Sequence, residues 1–389
     1  MRLLPETEAG LADAVRDAAS AGTPLAVEGA GTKRAWLRPV QAAATLSTAA
    51  LSGITLYRPQ ELILSARAGT PIAEIEAALA EKGQQLISEP YDLGALMGAA
   101  PSTPTLGGMV ATNLSGPSRI AWGATRDHVM GVRAVNGSGE IFTSGGRVLK
   151  NVTGLDLCKL LAGSFGTLAV LSEITLKVLP AAESQATIVV ETDDPAAGVA
   201  ALSAGLGSPF GVSGAAYLPA GLLPRAASVL RIEDFAASVA YRAGALAAEL
   251  KGQLMEEAQS RALWAAVRAL APLDAAPGQA VWKLSVAPSA AAGLLRSVQA
   301  AMDARWFLDW GGGLVWLAAE ASEAAHATIT RATTQARGAW QLVQAPDGMR
   351  AAIDVIPPEP PPLAAIGARV KAVMDPRGIL NPGRMRAGL

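Results

Sequence analysis

Residues 105–116 read TLGGMVATNLSG, a stretch crowded with glycine, hydroxyl and small side chains between strand-like segments. Residues 122–131 continue in the same way with WGATRDHVMG, and residues 150–170 with KNVTGLDLCKLLAGSFGTLAV. Glycine loses more conformational freedom on folding than any other residue, so three such clusters are costly unless the backbone must approach a ligand closely or adopt positive φ. A bound dinucleotide is the simplest reason for this composition.

An earlier glycine loop points the same way. Residues 24–28 read as a short buried strand, which runs directly into the phosphate-sized loop GAGTKR at residues 29–34. The nicotinamide fingerprint does not fit, because Arg34 stands at the third glycine position and no acidic residue follows Glu28 before Glu61. An ordinary tight turn is the alternative for this loop taken by itself.

Composition narrows the class of protein. With 389 residues and 51% hydrophobic content, the chain is long enough for a large core and for two domains. A net charge of -1, from 32 basic and 33 acidic residues, gives no electrostatic footprint for nucleic acid. The beginning, MRLLPETEAG, lacks the apolar segment of a secretory signal, and a cytoplasmic location is expected.

Cysteine and histidine are scarce. The single cysteine, Cys158, excludes an internal disulfide framework and an iron–sulfur cluster held by this chain alone, and it is expected to be a small buried hydrophobe. The two histidines, His128 and His326, give no metal-ligand cluster, so no metal is expected. His326 falls on an amphipathic helix, where we expect a surface or boundary residue.

Periodicity divides the chain near Pro180. Before it, we expect a strand at 61–68, a helix that Thr70 caps and Pro71 begins, a hairpin at 132–143 and a strand at 169–179. After it, strand candidates alternate with alanine-rich helices at 235–250 and 289–302, which suggests helices packed on one sheet. The strand candidates are 186–191, 211–218, 229–233, 280–286, 305–309 and 314–318. The prolines of 357–362 suggest an extended connector to a short helix and a C-terminal tail.

Several of these segments together resemble a known family. Residues 28–34, 68–70, 105–116, 123–131, 150–170 and 375–384 resemble, in order, the FAD-binding domain of the vanillyl-alcohol oxidase and p-cresol methylhydroxylase (PCMH) superfamily. Within that superfamily, the sequence of these segments is most similar to the FAD-binding subunits of bacterial glycolate oxidases. The resemblance implies an α+β fold: a two-subdomain PCMH-type FAD-binding domain at 1–180, an α+β, ferredoxin-like cap at 181–356, and a connector and tail at 357–389 that return to the FAD domain.

The resemblance also implies which residues bind the cofactor. These are Gly29, Ala30, Gly31, Thr32, Lys33, Thr105, Leu106, Gly107, Gly108, Thr112, Asn113, Ser115, Gly116, Gly123, Arg126, Asp127, His128, Gly163, Ser164, Gly166, Thr167, Val170, Ile174 and Asn381. Relatives that attach their flavin covalently often carry a histidine in the first glycine loop, where this chain has none. Dissociable, non-covalent FAD is therefore expected.

The chemistry implied is oxidation of a small 2-hydroxy acid, glycolate, to glyoxylate. That reaction needs a base for the hydroxyl proton and a cation for the carboxylate. His128 is the weak candidate for the catalytic base. The alternative is that His128 holds the loop in place or contacts FAD. The cap should cover the flavin, and Trp306, Trp310 and Trp316, around three glycines, are either an interface anchor or plain core.

Partners follow from the same resemblance. It implies a hetero-oligomer with a second flavoprotein subunit and an iron–sulfur subunit, which associates with the inner membrane only peripherally, through those partners. Two other functions stay open at this point: a self-sufficient flavin dehydrogenase for another small hydroxy acid or alcohol, and a non-catalytic assembly subunit with an inert flavin site.

Overall fold

The computed structural model of the chain describes residues 1–98, 103–146 and 155–388. The start of the third glycine cluster, residues 150–154, lies outside the described residues. The strands are β1 (Arg2–Leu3), β2 (Leu25–Glu28), β3 (Ala44–Ser47), β4 (Ile54–Arg58), β5 (Ile63–Arg67), β6 (Gln84–Gln85), β7 (Val129–Asn136), β8 (Ile141–Gly145), β9 (Ala169–Lys177), β10 (Leu179–Pro180), β11 (Ser184–Glu191), β12 (Val212–Leu218), β13 (Ala227–Asp234), β14 (Gln253–Met255), β15 (Ala280–Ser285), β16 (Ala304–Asp309), β17 (Leu314–Ala319) and β18 (Ala339–Gln344).

Helices are interleaved with these strands, as expected for an α+β protein. They are α1 (Glu8–Ala21), α2 (Ile72–Ala80), α3 (Leu106–Ala111), α4 (Arg119–Trp122), α5 (Thr125–His128), α6 (Leu157–Leu161), α7 (Pro195–Gly207), α8 (Ala236–Leu250), α9 (Glu257–Arg268), α10 (Pro288–Gln299), α11 (Glu323–Gln335), α12 (Asp347–Ala352) and α13 (Pro361–Met374). No helix in the described ranges is both long and apolar enough to cross a membrane.

The N-terminal part contains two main sheets. A parallel three-stranded sheet has the order β1-β3-β2, and an antiparallel five-stranded sheet has the order β4-β5-β9-β7-β8. α1 packs Leu11, Val15 and Ala18, spaced along one helical face, into the core of the first sheet. The predicted hairpin is confirmed by the pairing of β7 with β8.

The C-terminal part forms one antiparallel eight-stranded sheet with the order β14-β11-β13-β12-β16-β17-β15-β18. The order of its elements along the chain is β11-α7-β12-β13-α8-β14, and then β15-α10-β16-β17-α11-β18 with α9 between the two halves. Each half is therefore a βαββαβ, ferredoxin-like unit. The two units join edge to edge through β12 and β16, so the ferredoxin-like cap predicted from the sequence consists of two such units.

The core continues between the two parts. Trp36, Tyr91, Leu114 and Phe165 from the N-terminal part belong to the same hydrophobic cluster as the residues beneath the eight-stranded sheet. We call the surface where these parts meet the inter-sheet interface. Apolar burial at this interface and the ion pair described below hold the cap against the N-terminal sheets.

Several local predictions were wrong for identifiable reasons. Thr70 does not cap α2: its hydroxyl donates to the Arg67 carbonyl, and Pro71 is the N-cap residue. His326 is not a surface residue, because it is 8% exposed and its Nδ1 accepts from the Trp282 indole at 3.2 Å. The proline run is not extended throughout. α13 begins at Pro361. Proline is tolerated there because the N–H that it lacks would have no partner within the first turn of a helix.

Candidate functional site

A cleft of about 350 Å³ opens beside the end of β2. Several separate segments of the chain meet there, among them the first glycine loop, α3, the turn before β9 and the C-terminal tail. The predicted cofactor residues on its walls are Gly29, Ala30, Gly31, Thr32, Lys33, Thr105, Gly107, Gly108, Thr112, Ser164, Gly166, Val170 and Asn381. The fold thus brings together residues that lie more than 350 positions apart in the sequence.

The first glycine loop presents free backbone donors to this cleft. Among the described residues, none accepts a hydrogen bond from the amide N–H groups of residues 30–33. Gly31 has φ of +79°, a conformation that favours glycine. Consecutive amides in such a turn form a concave, partly positive surface that suits an anion.

Close backbone approach explains two of the glycines. A Cβ atom on Gly29 would stand 2.2 Å from the Thr105 hydroxyl oxygen, and one on Gly107 would stand 2.9 Å from Ala68 Cβ. Any side chain at either position would push the first glycine loop or α3 out of place. The absence of a side chain at Gly29 and Gly107 therefore sets how closely the first glycine loop and α3 lie together in the cleft.

Gly108 differs, because its missing side chain leaves space in the cleft. A Cβ atom there would meet only the Thr105 hydroxyl oxygen, at 3.3 Å, and the Lys33 ammonium nitrogen, at 3.9 Å. Neither contact involves backbone. Larger side chains at 108 would therefore fill the cleft before they disturbed the fold.

Lys33 is the cation of the first glycine loop. Burial lowers the pKa of its ammonium group to about 8, although the charge of Asp92 counteracts part of that effect. Within the described parts of the chain, no carboxylate lies within ion-pair distance of it. Lys33 also lines a second cavity of about 360 Å³, between α2 and α9. A bound anion in either space would stabilise its charge.

Two buried arginines on the cleft walls were not among the predicted cofactor residues. Arg350, on α12, donates to the Leu37 carbonyl at 2.7 Å, and Arg384, in the tail, donates to the Lys33 carbonyl at 2.7 Å. Burial, together with the neighbouring charge of Arg350, lowers the pKa of Arg384 to about 10. The tail motif that contains Arg384 could have identified this residue as part of the cleft, whereas nothing in the sequence near Arg350 points to the cleft.

Asn381 fastens the tail to the cleft. Its side-chain oxygen accepts from the Val27 amide at 2.8 Å, and its side-chain nitrogen donates to the Phe165 carbonyl at 2.8 Å. One buried amide thus connects the tail to β2 and to the turn before β9. The predicted return of the tail agrees with this contact, while the domain boundaries themselves stay a prediction.

The other predicted cofactor residues do not line the cleft. They are Leu106, Asn113, Ser115, Gly116, Gly123, Arg126, Asp127, His128, Gly163, Thr167 and Ile174. Leu106 and Ile174 are completely buried in the core around the five-stranded sheet. Asn113 and Ser115 accept hydrogen bonds from the amides of Arg126 and Thr125, both at 2.9 Å, which fixes the loop between α3 and α5. A direct contact of these residues with the cofactor stays a prediction.

His128, the weak catalytic candidate, lies at the end of α5. Its Nε2 atom is buried and has no hydrogen-bond partner among the described residues. Burial lowers the pKa of the imidazole, which is therefore neutral at pH 7 and can accept a proton. It is not among the residues that line the cleft.

The cleft suits a dinucleotide. It combines the free amides of the first glycine loop, the hydroxyls of Thr32, Thr105 and Ser164, and the cation of Lys33. A pyrophosphate needs such donors and a positive environment, while the apolar wall near Val170 suits an aromatic ring. No group of three or more His, Cys, Asp or Glu side chains placed to hold a metal ion occurs within the described ranges.

Fold and cleft together define an FAD-binding oxidoreductase. Residues 1–145 match the family model described as "FAD binding domain". The chain is 34% identical over 380 residues to glycolate oxidase subunit GlcE of Escherichia coli strain K12, which covers 97% of both chains. The protein therefore belongs to the family of this subunit, and FAD is its cofactor.

More distant similarities agree on the fold. A D-lactate dehydrogenase of Anaerostipes hadrus is 42% identical over 86 residues, which are 22% of this chain and 18% of that relative. A solved structure of alkyldihydroxyacetonephosphate synthase superimposes with a TM-score of 0.71 at 16% identity, over 98% of this chain and 76% of that one. At this identity the second similarity supports the fold alone.

Lys33 gives the cleft a testable pH dependence. In the free protein its ammonium loses its proton above about pH 8, whereas a bound pyrophosphate should raise its pKa. Binding above pH 8 then requires uptake of a proton, so the Kd for FAD should rise by roughly tenfold per pH unit. Fluorescence titration between pH 7 and 9 measures this slope.

The Lys33→Met variant should bind FAD more weakly at pH 7 and lose the slope. Lys82→Met, at an exposed lysine, is the matched control and should behave like the unmodified protein. An FAD affinity of the unmodified protein that does not change between pH 7 and 9 would contradict the role given to Lys33.

Proposed function

We propose that this chain is the FAD-binding subunit of a multi-subunit glycolate oxidase, which oxidises glycolate to glyoxylate and passes the electrons through flavin to its partners. The observation that carries the proposal is the similarity to a glycolate oxidase subunit over 97% of both chains. Similarity that includes the cap and the tail, and not only the cofactor domain, supports a shared function more strongly than a common fold does.

The need to pass electrons on from the flavin supports the presence of a partner subunit. A reduced flavin must pass on two electrons, and an iron–sulfur cluster needs several thiolates where this chain has one cysteine. Cys158 is buried, and burial raises the pKa of its thiol, so it is a poor ligand and nucleophile. We therefore infer that a second flavoprotein subunit and an iron–sulfur subunit accompany this chain, in the cytoplasm or peripherally at the inner membrane face.

When bound, FAD would supply the acceptor for the hydride from the α-carbon of the hydroxy acid. The chain's own residues hold the cofactor through the amides of residues 30–33 and the charge of Lys33, without a covalent bond. His128 is the only histidine near the predicted cofactor segments, and its neutral imidazole is in the proton-accepting form. Its position outside the cleft walls favours the alternative that another subunit contributes the base.

The test is expression of the chain alone and together with its proposed partner subunits. Each preparation is assayed for bound flavin, for release of that flavin by acid, and for glycolate-dependent dye reduction. We expect acid-released FAD in both preparations and dye reduction in the complex. Dye reduction by the chain alone would indicate a self-sufficient dehydrogenase, and a complex that reduces dye equally well without FAD in this chain would indicate an assembly subunit.

A further inference from the structure

Two cations meet on one indole ring at the inter-sheet interface. The Arg119 guanidinium carbon lies 4.4 Å from the centre of the Trp310 ring, and the Lys283 ammonium nitrogen lies 5.2 Å from the same centre. Arg119 belongs to α4 of the N-terminal part, whereas Lys283 belongs to β15 of the cap. The ring is itself fixed in place, because its N–H donates to the Gly116 carbonyl at 3.0 Å.

Among the described residues, neither cation has an anionic partner. Within the described ranges, no carboxylate lies within ion-pair distance of Arg119 or Lys283, and the undescribed stretches 99–102 and 147–154 contain no Asp or Glu. The charged group that acts most strongly on Lys283 is Arg119, which repels it. Burial and this repulsion lower the pKa of Lys283 to about 8, so it is still mostly charged at pH 7.

The nearby acidic groups already have other partners. Asp309 accepts hydrogen bonds from the Tyr91 hydroxyl and from the Trp310 amide, both at 2.6 Å. Asp127 accepts from the Ala124 amide at 2.8 Å. Two partly buried like charges without a counterion repel each other, and their cation–π contacts with the Trp310 ring offset only part of that cost.

A third donor on the same sheet face also lacks an acceptor. Trp316 lies directly opposite Lys283 in the pairing of β15 with β17, so both side chains project from the same face. Trp316 is completely buried, and its indole N–H has no hydrogen-bond partner among the described residues. In contrast, Arg119, Lys283 and Trp310 are only partly buried.

We propose that Arg119 and Lys283 form a binding site for the carboxylate of a small organic acid at the ring of Trp310. A carboxylate supplies the missing negative charge and several acceptor lone pairs, and a guanidinium and an ammonium are its usual partners in proteins. The 2-hydroxy acid class follows from the proposed function, on which this part of the inference rests. The binding of a carboxylate does not depend on it.

The test is calorimetric titration of the FAD-loaded protein with glycolate, with acetate and with inorganic phosphate at pH 7. We expect saturable binding of the two carboxylates. Lys283→Met and Arg119→Gln should each weaken it by about tenfold or more, because each removes a charged hydrogen-bond donor. The exposed-site controls Lys82→Met and Arg296→Gln should bind like the unmodified protein.

Stability separates a binding role from a structural one. Lys283→Met removes an unpaired, partly buried charge, so the ligand-free variant should melt at the same temperature as the unmodified protein or higher. Absence of carboxylate binding, unchanged binding in both variants, or binding of phosphate alone would each overturn the assignment. Failure of these titrations in a complex that still oxidises glycolate would remove this site and leave the proposed function standing.

Discussion

Replacing Gly108 by leucine is expected to abolish FAD binding while leaving the fold intact. The missing Cβ of Gly108 faces only the Thr105 hydroxyl and the Lys33 ammonium group, so a leucine side chain would extend into the cleft. Flavin content of the purified variant, measured by absorbance, should fall from about one FAD per chain to near zero. The melting temperature of the variant should match that of the flavin-free unmodified protein, because no backbone atom has to move.

Two further glycine variants make this result specific. Gly107→Leu should also lose FAD, but with clear destabilisation, because its side chain would clash with Ala68. Gly244→Ala is the control, since a Cβ atom at this helical position of α8 has no neighbour within 4 Å. It should retain FAD and gain about 0.5–1 kcal/mol from the higher helix propensity of alanine. Retention of FAD by Gly108→Leu would place the cofactor elsewhere.

Replacing Arg231 by methionine should destabilise the protein by about 3–5 kcal/mol, because it leaves the partly buried carboxylates of Glu89 and Glu233 without their shared cation. Arg231, on β13, donates two hydrogen bonds of 2.8 Å to Glu89 of the N-terminal part, and its side chain is only 3% exposed. Burial alone would raise the pKa of Glu89, but the charge of Arg231 and its hydrogen bonds lower that pKa below the ordinary value. Urea unfolding at pH 7 measures the loss.

A double variant tests whether the loss comes from the unpaired charge. Glu89→Gln combined with Arg231→Met should recover part of the stability, since it removes one of the two carboxylates that lose their cation and leaves only Glu233. Arg225→Met, in an exposed pair with Asp193, is the control and should have little effect. A loss for Arg231→Met no larger than that for Arg225→Met would show that the ion pair does not hold the cap in place.

The glycine segments could be interpreted from sequence because they act locally. Gly31 and Gly166 adopt positive φ, and the residues of the first loop lie on the cleft as expected from their order along the chain. The six strand candidates of the cap also match strands of the eight-stranded sheet. β14 and β18 were missed: β14 has only three residues, and both lie at the sheet edges, where the apolar pattern is weakest.

What the sequence did not predict depends on contacts between distant residues. The doubling of the ferredoxin-like unit rests on the edge pairing of β12 with β16, to which no sequence repeat points. His326 and Trp282, 44 positions apart, pair only because α11 covers β15, and the helical pattern alone placed His326 at the surface. Arg350 reaches the cleft from α12 and donates to the Leu37 carbonyl, and no motif marks it.

The most direct measurement is a crystal structure of the chain grown with FAD. We expect pyrophosphate density against the amides of residues 30–33 and beside Lys33 and Gly108, in one copy per chain. Density for the dinucleotide at another place in the molecule, or a glycine-lined cleft that stays empty at saturating FAD, would contradict it.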